Sequence, residues 1–221
     1  MKYGESIFDV AYLLFAIITG IWIIRRSDDK PGWLMGIATV VLGCGDAFHL
    51  IPRVLNYFTG ADLTAALGIG KLITSVTMTV FYVIMYHIWL AVYEGEGSRA
   101  LGAAIYGFSA LRIAICLFPQ NGWIDNSGSM MWGILRNIPF VVLGIMIIVL
   151  FYRKRKELPV FGKMWLLITL SFAFYIPVAV GAGLVPMLGM LMLPKTVCYV
   201  LMIILFVRYI RQTASKLTKK G

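Results

Sequence analysis

Charge is what this chain has least of. Only 14% of its 221 residues are Asp, Glu, Lys or Arg, and no polar stretch is long enough to form a separate soluble domain. That excludes both an ordinary soluble domain and a disordered chain. Cysteine is scarce as well: Cys44, Cys116 and Cys198 are odd in number, far apart, and each inside an apolar run. They read as structural thiols rather than a disulfide framework or a metal-binding set. There are two histidines, His49 and His87. Asp46 with His49 supplies two ligands where a metal usually takes three or four, so no metal and no cofactor are expected. The first apolar run follows Glu5 and Asp9 in place of a basic segment, and no small-residue cleavage site comes after it. It is therefore expected to stay in the protein rather than act as a cleaved signal peptide.

What is abundant is apolar sequence, with 60% hydrophobic residues and a mean hydropathy of +0.86. A helix crosses a bilayer's hydrocarbon core with about 20 mainly apolar residues, and seven segments qualify: 6–24, 33–54, 64–93, 100–118, 130–151, 163–184 and 188–210. The expected fold is an all-α membrane protein, with seven transmembrane helices in a single domain over 1–221.

The net charge of +10 would fit nucleic acid only if the cations formed a patch on a soluble surface. Instead they fall in alternate connections. Arg25, Arg26 and Lys30 follow the first helix, Arg99 precedes the fourth, Arg153, Lys154, Arg155, Lys156 and Lys163 join the fifth to the sixth, and Arg208, Arg211, Lys216, Lys219 and Lys220 form the tail. The other connections, FTGAD, PQNGWIDNSGS and GAGLVPMLG, contain no Lys or Arg. The positive-inside rule then puts the N-terminus outside and the C-terminus in the cytoplasm, as in a multi-pass protein of a bacterial cytoplasmic membrane. The tail is a topology signal or a contact for anionic headgroups, and no nucleic-acid partner is expected.

The two halves of the chain echo each other. DAFHLIPR resembles FAFYIPV and GIGKLIT resembles MLPKTVC, with Phe48 to Phe174, Pro52 to Pro177 and Lys71 to Lys195 separated by 126, 125 and 124 positions. One reading is a parallel repeat of 1–93 and 130–210, with 100–118 as the linker helix that restores their common orientation. Chance likeness of two apolar stretches is the other.

Ionisable residues interrupt the apolar runs at similar depth. With a rise of about 1.5 Å per residue, Asp46 comes out roughly 12 Å below the outer edge of helix 2, His49 about 7 Å below, and Arg53 near the interface. Lys71, Arg112, Arg136 and Lys195 come out roughly 8–12 Å below the same edge. Charges in hydrocarbon are costly, so these groups are expected to line one cavity. Asp46, His49 and Arg53 fall at i, i+3 and i+7 on one helical face. Against Arg53, Lys71, Arg112, Arg136 and Lys195 stands only Asp46, so the cavity is expected to take an anionic ligand, a phosphate or carboxylate. Tyr175, in the FAFYIPV echo, joins the five cations as a ligand-binding residue. Asp46 reads as a catalytic acid with His49 beside it, or as the ion-pair partner of one of the cations. Arg53 reads as a pocket residue or as a snorkelling one, and His49 as functional or as an ordinary hydrogen-bonded interior histidine.

GDAFHLIPR is similar to the Gly-Asp-Ala-x-x-Leu-x-Pro-Arg stretch of the YhhN-like lysoplasmalogenases, multi-helix membrane enzymes that hydrolyse the vinyl-ether bond of lysoplasmalogens. FYVIMYHIWLAVY resembles their Phe-x-x-x-His-x-x-Tyr helix, and VCYVLMIILF resembles their last helix. The resemblance is specific around Gly45, Asp46, Pro52 and Arg53. It implies Asp46 as an active-site acid and His87 as the matching histidine. The family's second acid, in a Ser-Asp context, has no counterpart here, because Ser171 is followed by Phe172. The functional expectation is a membrane lipid hydrolase acting on an anionic amphiphile. A transporter or a receptor for a small anionic metabolite is the alternative, and the apolar inner halves of the helices count against transport.

Overall fold

The computed structural model describes residues 2–218 apart from 95–97, 126 and 182–184. The tail cations Lys219 and Lys220 lie outside the described residues. The described residues are helices joined by short connections, with no strand among them. Its helices are α1 (Lys2–Arg26), α2 (Lys30–Thr59), α3 (Thr64–Val92), α4 (Arg99–Leu117), α5 (Met130–Arg153), α6 (Met164–Gly181) and α7 (Met192–Thr218). Among the described residues, 7 helical stretches are long and apolar enough to cross a membrane.

Local chemistry sets several of the ends. Asp29 caps α2 by accepting from the Gly32 backbone N–H at 3.0 Å, with Pro31 inside the first turn, and Gly60 closes the helix in the left-handed region at φ 64°. Ser98 and Ser129 accept from Leu101 N and Trp132 N to cap α4 and α5. Each cap satisfies a backbone donor that the helix leaves open.

Several boundaries differ from the apolar pattern, with α1 starting at Lys2 and α7 running on to Thr218. α2 runs to Thr59 rather than residue 54, because Arg53 Nε donates to Tyr57 Oη at 3.2 Å one turn on, and both side chains are tied to Glu5 of α1. α7 begins at Met192 rather than 188, because Pro186 and Gly189 favour the 3-10 helix Pro186–Leu191 that precedes it. The sixth segment, expected over 163–184, is helical over Met164–Gly181, and its last three residues lie outside the described residues.

Each helix packs on its chain neighbours, α7 closes the ring onto α1 and α2, and α3 reaches across to α5. Large apolar side chains such as Leu14, Ile18, Phe48, Ile138, Ile145 and Leu201 are exposed on the outside of this bundle, the pattern expected where lipid takes the place of water. α1 and α2 approach through small residues. A Cβ on Gly36 would lie 2.9 Å from the Ile24 backbone nitrogen, and one on Gly20 would lie 2.9 Å from that of Val40.

The two ends of the bundle are unlike. Toward the end where Arg26, Lys30, Arg99, Arg153 and Lys163 cluster at the helix termini, the interior is packed with buried Met85, Ile88, Phe151, Phe161, Met202 and Phe206. Toward the other end, where α2 meets α3 and α4 leads to α5, the interior is open. Pro52 helps shape that half: it has no N–H to return to the Phe48 carbonyl. α3 comes against that carbonyl at Gly70, where a Cβ would overlap it. This close approach brings Lys71 to the side of α2 that carries His49.

Candidate functional site

The open half holds a cavity of about 830 Å³, within the range of sites that bury a drug-sized ligand. Asp46, His49, Arg53, Lys71, Arg112, Arg136, Lys195 and Tyr175 all line it. So do Glu5 and Asp9 of α1, so the cavity is more evenly charged than the sequence count made it. Five cations face three acids, not one. The expectation that Asp46 alone opposes the cations is thereby corrected. Glu5 and Asp9 sit four residues apart on one face of α1, which turns inward beside α2.

The acids lie on α1 and α2. Glu5 pairs with Arg53 and also accepts from Tyr57 Oη at 3.4 Å. Arg53 is therefore not a loose cation. It lies six residues inside the end of α2, held by Glu5. Asp46 makes no ion pair among the described residues. Its Oδ2 accepts from Tyr12 Oη at 2.8 Å, and Lys195 is near enough for the two opposite charges to act on each other. Because α2 continues to Thr59, Asp46 and His49 lie about 7 Å farther from the end of the helix than its apolar run implied. Asp9 is 5% exposed, and its Oδ2, the Ser6 hydroxyl and His49 Nδ1 are buried without a hydrogen-bond partner among the described residues.

The remaining cations lie on α3, α4, α5 and α7. Arg112 is 2% exposed, with its guanidinium carbon 3.3 Å from the centre of the Phe140 ring, and its Nε and Nη1 have no hydrogen-bond partner among the described residues. Lys195 is buried between the faces of Tyr175 and Tyr199, at 5.0 and 5.4 Å from their ring centres. Arg136 is held more firmly. Its Nη1 donates to Asn121 Oδ1 at 2.9 Å, and it stacks 4.5 Å from the Trp123 ring centre. The loop carrying those two residues is tied to the end of α4 by Asn121 Nδ2, which donates to Ile115 O at 2.7 Å, and by Trp123 Nε1, which donates to Cys116 O at 2.7 Å. Tyr175 donates to Asn137 Oδ1 at 2.7 Å, which fixes its ring against Phe140 and beneath Lys195.

Below the charged walls the cavity meets aromatic packing. Tyr82 stands edge-on to Phe81 and Phe140, with centroids 5.4 and 5.3 Å apart, and Phe140 packs on Phe172 at 5.0 Å. Tyr82, Tyr199 and Ser171 share hydroxyl contacts of 3.4 Å, all buried. This layer separates the cavity from the apolar half.

His87 does not line the cavity. It lies nine residues past Met78, the deepest α3 residue in the lining, or about 13 Å along the helix. There its Nε2 contacts Tyr106 Oη at 2.8 Å. The pairing of Asp46 with His87 implied by the resemblance is not the arrangement seen. Asn121, Trp123 and Asn137, which orient Arg136 and Tyr175, were not singled out from the sequence. The loop pair sits in no periodic pattern, while Glu5, Asp9 and Tyr12, at i, i+4 and i+7, do carry a helical signal.

No protein-family model, no curated protein and no solved structure matches this chain.

Proposed function

We propose that this protein is a multi-pass protein of a bacterial cytoplasmic membrane. In this reading its N-terminus and cavity mouth face outward, and the cavity binds the anionic group of an amphiphile. Arg112 carries the reading. Taking an ammonium-like charge out of water costs several kcal/mol, and a desolvated cation–π contact returns only about 2 kcal/mol. A guanidinium that lines the cavity with Nε and Nη1 unpartnered is thus short of an anion, and a phosphate or carboxylate supplies it. The aromatic layer beneath the cavity favours a one-sided pocket over a transport path.

The chemistry we propose is hydrolysis of the lysoplasmalogenase type, with Asp46 as the proton-transfer group and His49 one turn toward the mouth. In vinyl-ether cleavage an acid protonates the alkenyl carbon and water adds to the resulting oxocarbenium carbon. The hemiacetal then breaks to an aldehyde and an alcohol, and the proton returns to the acid. Support for this step comes from the GDAFHLIPR resemblance and from Asp46 facing the cavity beside Tyr12. The internal repeat fits the packing too. α1 on α2 on α3 is matched by α5 on α6 on α7, and Pro52 and Pro177 both sit inside helices.

Two measurements test this. For orientation, a cysteine at the exposed Ser127, in a background with Cys44 replaced by Ser, should react with an impermeant maleimide in sealed cells, and one at Lys156 should not. Equal labelling overturns the outward-facing cavity. For binding, Lys195→Gln should weaken oleoyl lysophosphatidic acid by about tenfold, the loss of one charge-assisted contact worth 1.4 kcal/mol or more. Arg136→Gln should cost less, since Asn121 and Trp123 already engage Arg136. Parental affinity in both variants would make these cations structural.

A further inference from the structure

Two ionisable groups of the cavity stand near each other without meeting. Asp46 is on α2 and Lys195 on α7, helices that pack on one another, and both line the cavity. Each acts on the other's charge, yet no direct ion pair joins them among the described residues. Neighbours hold them instead. Tyr12 Oη donates to Asp46 Oδ2 at 2.8 Å. Lys195, 7% exposed, rests its ammonium against the Tyr175 and Tyr199 rings and makes no hydrogen bond among the described residues. Tyr175 is itself fixed by Asn137. Glu5, by contrast, is closed onto Arg53.

A buried acid and a buried ammonium gain most by closing into a contact pair, because their attraction is what repays the loss of water. Held apart on the wall of a cavity, they are instead open to a reacting group. From this we infer that Asp46 and Lys195 are an acid–base couple for vinyl-ether cleavage, with Lys195 as the acid that protonates the alkenyl carbon and Asp46 as the base that activates water. The inference rests on the hydrolase reading of the cavity. The proton count closes. The Lys195 ammonium gives a proton to the alkenyl carbon, whose π electron pair forms the new C–H bond and leaves the neighbouring carbon as an oxocarbenium. Water adds to that carbon and Asp46 takes its proton, which gives a hemiacetal, a neutral amine and a carboxylic acid. Asp46 then protonates the glycerol oxygen as its C–O bond breaks, and the hemiacetal hydroxyl proton passes to the Lys195 amine. Aldehyde and alcohol leave with both groups in their starting state. A buried lysine can exchange a proton in this way, whereas an arginine cannot.

The test follows aldehyde release from an ethanolamine lysoplasmalogen by the purified full chain in detergent, beside its affinity for oleoyl lysophosphatidic acid. Lys195→Gln should lower kcat at saturating substrate by about 10²–10⁴-fold, far beyond its tenfold effect on affinity. Lys195→Arg is the decisive variant. It keeps the buried charge beside Asp46, and with it the fold and the affinity for the lipid, but a guanidinium does not give up its proton, so kcat should stay as low as in Lys195→Gln. Asp46→Asn combined with Lys195→Gln should turn over no more slowly than the worse single variant, because both groups serve one proton circuit. If Lys195→Arg regains parental kcat, Lys195 supplies charge alone and the couple is overturned. Parental kcat in Lys195→Gln, or losses that multiply in the double variant, overturn it equally, and the hydrolase reading then stands on Asp46. If the parent binds the lipid but releases no aldehyde, the hydrolase reading falls and the couple with it.

Discussion

Asp46→Asn is expected to lower hydrolytic turnover by about 10²–10⁴-fold, the usual worth of a positioned proton-transfer group, with ligand affinity and fold retained. Asparagine keeps the shape of aspartate and still offers an amide oxygen to Tyr12 Oη, now 2.8 Å from the carboxylate. It cannot take up or give back a proton at neutral pH. No direct ion pair is lost with the charge, because Asp46 makes none among the described residues, but buried Lys195 loses an opposing charge, so the stability change should stay within about 2 kcal/mol. Release of aldehyde from a lysoplasmalogen, followed with the melting temperature in detergent, is the measurement. A stable variant with parental turnover removes Asp46 from the chemistry. A loss of several kcal/mol would mean that the carboxylate anchors α1 to α2 through Tyr12 and that its role is structural.

Much of the site could be read from the sequence because the bilayer penalises ionisable groups strongly. Lys71, Arg112, Arg136 and Lys195 are conspicuous in apolar runs, and the cheapest way to bury several such groups is around a single cavity. The acids on α1 were harder to see. Glu5 and Asp9 lie at the start of the first apolar run, where they read as the absence of a basic leader segment, and only the fold turns their face toward α2. Charge balance is therefore a property of the assembled bundle. Helix ends were legible where a local cap sets them, as at Ser98 and Ser129. They were not where tertiary contacts do, as in the last turn of α2 held by Glu5, Arg53 and Tyr57. His87 shows the same limit from the other side. A short motif can match a family while the helix carries the matched residue beyond the aromatic layer, where its partner is Tyr106.

Arg112→Leu should separate binding from stability more sharply than any other change. Arg112 carries a buried charge whose Nε and Nη1 have no hydrogen-bond partner among the described residues, compensated by the Phe140 ring and the nearby Cys116 thiol. Leucine removes the desolvation penalty and fills much of the same space. Replacing buried charges with apolar side chains commonly stabilises by about 1–4 kcal/mol, and part of that gain is offset by losing a cation–π contact of about 2 kcal/mol. The ligand-free variant should thus melt at or above the parent's temperature. Binding should move the other way: losing a desolvated guanidinium–anion contact costs about 2–5 kcal/mol, or roughly 30-fold to several thousandfold in affinity for oleoyl lysophosphatidic acid. Arg112→Lys should fall between, since an ammonium keeps the charge but loses the planar fork. Differential scanning fluorimetry with and without the lipid reads both quantities, because a ligand that binds only the folded state raises the melting temperature in proportion to its affinity. The parent should gain stability from the lipid, and Arg112→Leu should gain almost none. A variant that melts several degrees lower without ligand yet keeps the lipid's full stabilisation would make Arg112 a packing residue and leave the anion to Lys71, Arg136 and Lys195.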